Sequence, residues 1–145
     1  MHGSLLPPAR LLDIQASWAV LSPRADAWAT AFYRRLFAAD PAVAALFRYA
    51  EPDSQRRKLL DMLGAIVTGM ADAPRTIPVL VDLGRRHRDY GVVPAHYPLV
   101  GRCLLEAFDE VIAGAADQPT CQRWRAAWDE LYGVLATAML RGAGA

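Results

Sequence analysis

The stretch Leu83 to Val93, "LGRRHRDYGVV", sets one histidine inside a dense basic cluster. Arg85, Arg86 and Arg88 surround His87, and Asp89 follows closely. Such a run marks a solvated helix face or an anion-binding patch, unless the histidine points the other way. On a helical wheel of about 100° per residue, with His87 at zero, Leu80 lies about 20° away and Leu83 about −40°. Gly84 falls at about +60° and Ile77 at about +80°, whereas Arg85 lies near the opposite side. His87 therefore belongs to the apolar stripe of a helix over residues 76–88, and the arginines are its rim.

The rest of the chain sets the context for that helix. Its 145 residues suit a single domain with one continuous core, and 54% hydrophobic residues indicate a packed globule. A formal net charge of +1 leaves no electrostatic footprint for nucleic acid and no polybasic block for an anionic membrane. No apolar run approaches the ~20 residues a membrane helix needs, and the start lacks a signal-peptide pattern. The opening "MHGS" gives His2 no weight as a ligand. Cys103 and Cys121, without CxxC spacing, suggest neither a disulfide framework nor a zinc site, so a reducing cytoplasm is the expected location.

Prolines and short loops divide the sequence into helix-sized pieces, with no period-2 alternation. Leu11, Ile14, Trp18 and Leu21 recur at helical spacing up to Ser22-Pro23. A second helix is expected over 25–39, with Ala29, Phe32, Tyr33, Leu36 and Phe37 inward. Asp40-Pro41 reads as an N-cap followed by proline at the first helical position, opening a short turn through Leu46. Asp53 or Ser54 is expected to cap a helix from about 55 to 71, with the stripe Leu59, Met62, Leu63, Ile66 and Met70. Pro94 is expected to open a helix ending at Gly114. Pro119 opens the last helix, carrying Trp124, Trp128, Leu131 and Leu135. This pattern predicts an all-α domain of six or seven helices over 1–145, with residues 1–8 and 141–145 as flexible tails.

An inward imidazole has two readings. It packs in the core with one ring nitrogen bonded to a carbonyl, or its inner nitrogen ligates a metal, which only the neutral imidazole can do. Gly84, one turn earlier, lacks a side chain and would admit a flat ligand. His96, with Leu99, Val100 and Cys103 at helical spacing, competes for the ligand role on periodicity alone. Gln55 stands in line with Leu59, Met62 and Ile66, either as a wet helix-start residue or as an amide at a pocket mouth. Tyr33 is inward, and its hydroxyl wants a partner, because an unpaired buried one costs about 1–3 kcal/mol. Phe47 closes the short turn after Pro41 and reads equally as ordinary core.

Three blocks carry a family likeness: "FYRRLFAADPAVAALF" (Phe32 to Phe47), "SQRRKLLDMLG" (Ser54 to Gly64) and "LGRRHRDYGVVPAHYPLVGRCLLEAF" (Leu83 to Phe108). Together they resemble bacterial single-domain globins of the flavohaemoglobin and Vitreoscilla haemoglobin type, over residues from about 10 to 140. The resemblance implies a globin fold holding haem b, with His87 as the iron ligand. It implies Tyr33 and Gln55 as polar distal residues, Phe47 as the phenylalanine against the haem and Leu59 as distal wall. Lys58 and Arg86 match positions that meet haem propionates. Val92 and Tyr97 fall at cofactor-contacting positions, and His96 matches a position that is not the ligand.

The likeness further implies O₂ binding or storage with donors from Tyr33 and Gln55, NO and CO as other ligands, and NO dioxygenation if a separate flavin reductase supplies electrons. A haem enzyme or sensor for peroxide, nitrite, sulfide or NO is the alternative, and a haem-free globin-like protein is a third reading. One feature of the family pattern is missing: the last-helix glutamate that joins the proximal histidine would fall at Ala143. Without it the histidine gains less imidazolate character, which counts against a dedicated peroxidase.

Overall fold

The computed structural model describes residues 3–144, which leaves the His2 reading outside it. Among the described residues there are seven α-helices, one 3₁₀ turn (Ser22–Arg24) and no strand. The helices are α1 (Pro8–Leu21), α2 (Ala25–Ala39), α3 (Pro41–Leu46), α4 (Pro52–Gly69), α5 (Ala73–Asp89), α6 (His96–Ile112) and α7 (Gln118–Gly142). None is long and apolar enough to cross a membrane. The fold is all-α, as the periodicity predicts.

Local chemistry explains most boundaries. Asp40 caps α3 by accepting from the Ala42 and Val43 amides, with Pro41 behind it at the first position. Helix α4 departs from expectation at its start. Glu51, rather than Asp53 or Ser54, is the cap, accepting from the amides of Asp53 and Ser54. Pro52 then takes the first helical position, so the helix begins three residues before Gln55. Helix α5 likewise starts at Ala73, and Pro78 sits inside it. Helix α6 begins at His96 and stops at Ile112, because Pro94 and Ala95 lie in the preceding turn and Gly114 turns with φ of 78°.

The core is built where α2 crosses α6 and α7 lies against α1 and α5. Ile14, Leu21, Trp28, Leu36, Met70, Leu80, Phe108 and Leu131 are its fully buried large side chains. Trp28 meets Trp128 edge-on at 5.2 Å between ring centroids, and Trp18 lies 6.3 Å from Trp128. The indole N–H groups are satisfied: Trp28 donates to the Leu104 carbonyl at 3.1 Å and Trp128 to the Ser17 hydroxyl at 2.9 Å. Ser17 is wholly buried and donates its own hydrogen bond to the Ile14 carbonyl.

Helices α5 and α7 approach closely enough to need glycine on both sides. A β-carbon on Gly84 would lie 1.8 Å from the Met139 carbonyl oxygen, and one on Gly142 would lie 1.7 Å from that of Val81. Gly84 is thus buried against α7. Its missing side chain makes room for a helix backbone, which corrects the reading of Gly84 as the approach of a flat ligand.

Described residues near both termini make ordered contacts. Helix α7 is regular through Gly142, so Arg141 and Gly142 do not fray. Leu5 and Leu6 are buried, the Leu5 amide donates to the Met70 carbonyl at 2.8 Å, and the Ala73 amide donates to Gly3. Phe37 is the other correction: it is 36% exposed, since it sits beyond the α2 face that packs on α6.

Gly84→Ala and Gly142→Ala are each expected to cost about 1–3 kcal/mol or more, as overpacking against rigid backbone does. Urea denaturation measures the loss, and Gly133→Ala, where a β-carbon meets nothing within 4 Å, is the control that should not destabilise.

Candidate functional site

Three segments bring the predicted polar pair together. Helix α2 presents Tyr33, the turn after α3 presents Phe47, and the first turns of α4 present Gln55. The Gln55 side-chain amide donates to the Tyr33 hydroxyl at 3.2 Å, and that hydroxyl lies 3.5 Å from the Gln55 backbone carbonyl. Burial raises the Tyr33 phenol above its ordinary value, and the Gln55 bond partly offsets it. Tyr33 therefore remains a proton-bearing donor throughout the neutral range.

An aromatic triangle supports this pair. The rings of Tyr33, Phe37 and Phe47 lie 5.6 Å, 5.7 Å and 5.4 Å apart as Tyr33–Phe37, Tyr33–Phe47 and Phe37–Phe47. These residues line a cavity of about 110 Å³ with Gln55 and Arg56, closed by Ala50 and Pro52. A water molecule's share of liquid is about 30 Å³, so the cavity has room for a diatomic molecule beside the hydroxyl. Leu59, one turn beyond Gln55 on α4, is half-buried and packs against the core.

His87 stands apart from this cavity, near the end of α5. The helix turns as the wheel requires: Leu80 and Gly84 are buried, Ile77, Leu83 and His87 are half-buried, and Arg85, Arg86 and Arg88 are exposed. Nδ1 of His87 lies 2.9 Å from the Leu83 carbonyl oxygen, which can only accept, so Nδ1 carries the proton. In the neutral ring Nε2 then keeps its lone pair. Burial lowers the imidazole pKa, the Leu83 bond raises it less, and Arg86 lowers it further. The ring is thereby held neutral, the state a metal ligand requires. His87 does not line the Tyr33–Gln55 cavity. The Leu46 side chain, at the end of α3, lies against Gly91 just past α5.

The remaining candidates divide. His96 accepts from the Val93 amide through Nδ1 at 3.2 Å, closing the turn before α6; this occupies one ring nitrogen in local structure. Val92 is half-buried and bonds its amide to the His87 carbonyl at 3.0 Å, fixing the chain just past the histidine. Lys58 is exposed. Arg86 is exposed and paired with Asp82 at 3.2 Å, one turn back on α5. Tyr97 is buried, and its hydroxyl has no hydrogen-bond partner. Its backbone carbonyl accepts from Tyr132 at 2.7 Å, a ring admitted because Gly101 lacks a side chain. Ala143, at the helix end, offers no carboxylate to the orphaned phenol.

Sequence reasoning missed Arg56, Phe37 and Pro52 as pocket-lining residues. Phe37 was placed in the core, and nothing in the periodicity of α4 turns Arg56 toward α2. Among the described residues no group of three or more His, Cys, Asp or Glu side chains could hold a metal.

Because folding lowers the His87 pKa, the unfolded chain takes up the proton first as pH falls below about 6.5. The haem-free chain should therefore lose stability from that point down to the folded-state pKa, where the loss saturates. Urea midpoints between about pH 7.5 and pH 5 should fall less in His87→Gln than in the wild type. Equal slopes would show that His87 is not held neutral by the fold.

The chain and its fold have relatives. The globin family model matches residues 30–139. The chain is 36% identical over 113 residues to a flavohemoprotein of Bacillus cereus, covering 77% of this chain and 27% of that protein. It is 31% identical over 129 residues to a flavohemoprotein of Bacillus subtilis, covering 88% of this chain and 31% of that one. The chain thus spans less than a third of the length of these curated relatives. An engineered carbene transferase, from a provisionally named nitric oxide dioxygenase of Rhodothermus marinus, superposes with a TM-score of 0.73 at 27% identity, covering 94% of both chains. A bacterial globin of Campylobacter jejuni superposes at 0.77 with 21% identity, covering 95% of this chain and 96% of that one, and speaks for the fold. With a family match over most of its length and relatives above 30% identity, the chain belongs to the globin family.

Proposed function

We propose that the chain is a haem b globin that binds O₂ at a five-coordinate iron held by His87, with Tyr33 and Gln55 as hydrogen-bond donors on the opposite face. One observation carries the reading: His87 sits on the apolar face of α5 with Nδ1 spent on the Leu83 carbonyl, which leaves Nε2 unprotonated for a metal. The donor set fits haem, which takes one protein nitrogen on one face and needs apolar walls with polar groups on the other. Phe47, Leu59, Val92 and Tyr97 would wall the group. Lys58 and Arg86 would meet its propionates, Arg86 after exchanging its bond to Asp82.

When bound, haem iron supplies reversible binding of O₂, NO or CO and one-electron redox change. The chain supplies the rest. Tyr33 and Gln55 donate to a diatomic ligand that gains negative charge on binding; their mutual bond keeps both aimed into the cavity beforehand. Bonds to charged acceptors contribute about 1.5–3 kcal/mol, so Tyr33 alone can slow ligand release roughly ten- to a hundredfold. Slow release suits storage, scavenging or conversion of NO and O₂ to nitrate better than rapid delivery. Sustained conversion of NO to nitrate would need electrons, which a separate flavin reductase would supply. Ala143, where the family pattern has a glutamate, supports an O₂-binding role over a peroxidase, since it brings no carboxylate to strengthen His87 as a ligand. Two free thiols are compatible with a reducing cytoplasm.

Purified protein is expected to show a Soret band in ferric, ferrous and oxygenated forms, lost in His87→Ala and kept in His96→Ala. The reverse pattern would move the ligand to His96, and no band after reconstitution with haem would end the reading. In stopped flow, Tyr33→Phe should release O₂ about ten- to a hundredfold faster. An unchanged rate would remove Tyr33 from the role.

A further inference from the structure

A cleft of about 310 Å³ opens on the surface between α2 and α4, lined by Asp26, Asp53, Arg56, Arg57 and Leu60. The Tyr33–Gln55 cavity lies on the inner side of the same two helices. Arg56 is the one residue that lines both. Its guanidinium is tied to each helix: Nε lies 3.5 Å from Asp26 at the start of α2, and a terminal nitrogen bonds Asp53 at the start of α4. Nε itself is buried and makes no hydrogen bond.

We propose that Arg56 is a gate between the outer cleft and the inner cavity, and that small uncharged ligands reach Tyr33 and Gln55 through it. Resting on the haem reading above, this assigns the route by which the ligand arrives. Three features converge on it. The Arg56 side chain lines both hollows, so its displacement would join them. Arg56 is 25% exposed, but the carboxylates holding it are 84% and 71% exposed and well solvated, which weakens the hold. Two aspartates and two arginines leave the cleft with no net charge to draw in an ion, while the inner lining is mainly aromatic and apolar. Opening therefore favours a neutral diatomic.

Carbon monoxide binding to the haem-loaded, reduced protein tests the gate by flash photolysis and ligand replacement. Asp26→Asn loosens the gate and Arg56→Ala removes it. Both are expected to speed CO association several-fold and CO dissociation by the same factor, since a gate changes the barrier and not the affinity. Raising salt from about 0.05 M to 1 M should speed entry in the wild type, by screening the ion pairs, and leave Arg56→Ala unchanged. Leu60→Trp, which narrows the cleft one turn along α4 from Arg56, should slow entry. Rates unchanged in Arg56→Ala and Asp26→Asn, with the CO spectrum intact, would overturn the gate alone. So would a change confined to dissociation, which would mean that Arg56 acts on the bound ligand. A wild-type chain that forms no CO complex would overturn the haem reading and the gate with it.

Discussion

Everything at the site hangs on how closely α5 lies against α7. Two helix backbones meet there at a distance no β-carbon would permit, with Gly84 facing the Met139 carbonyl and Gly142 facing that of Val81. The two contacts fall on α5 within six residues before His87, so the last turn of that helix is aimed by backbone contact, not by adaptable side chains. Side-chain packing can relax when a neighbour changes, whereas two rigid helices with no atoms between them cannot. The histidine thereby inherits the position of α7, whose own place is set by the tryptophan and leucine stripe buried against α1 and α6.

The opposite wall is organised differently. Its polar groups come from helices joined through the short α3 turn, and their geometry is set by hydrogen bonds and aromatic edges. Tyr33 and Gln55 satisfy each other, which removes the cost of leaving either buried and unpaired. The same bond keeps the phenol from rotating into the core. One wall is thus fixed by backbone contact and the other by a polar pair able to exchange its mutual bond for a bond to something that arrives.

Much of this was legible from residue order. The 3.6 period gave the helices, Asp40-Pro41 gave a cap that the structure reproduces, and the wheel placed His87 inside and the arginines outside. What stayed hidden was long-range. Gly84 reads the same in sequence whether its empty side faces a ligand or a helix, and only the position of α7 decides. Glu51 displaced Asp53 and Ser54 as the α4 cap because Pro52 occupies the first position behind it, a competition among three adjacent acceptors that composition does not rank. Phe37 and Arg56 were mislaid for one shared reason: each lies on the border of its helix's buried stripe, where the neighbouring helix settles which way a side chain turns.

The buried indoles have a practical consequence. Trp28, Trp124 and Trp128 are shut away from water, and Trp18 sits close against Trp128. Indoles held away from water emit at short wavelength, and Trp18, Trp28 and Trp128 lie close enough to pass excitation among themselves. A porphyrin lodged between α4 and α5 would lie within transfer distance in a domain this small and would drain that emission. The protein's own fluorescence therefore serves as a gauge of occupancy, bright when the pocket holds no pigment and dark when it is filled, with no added dye.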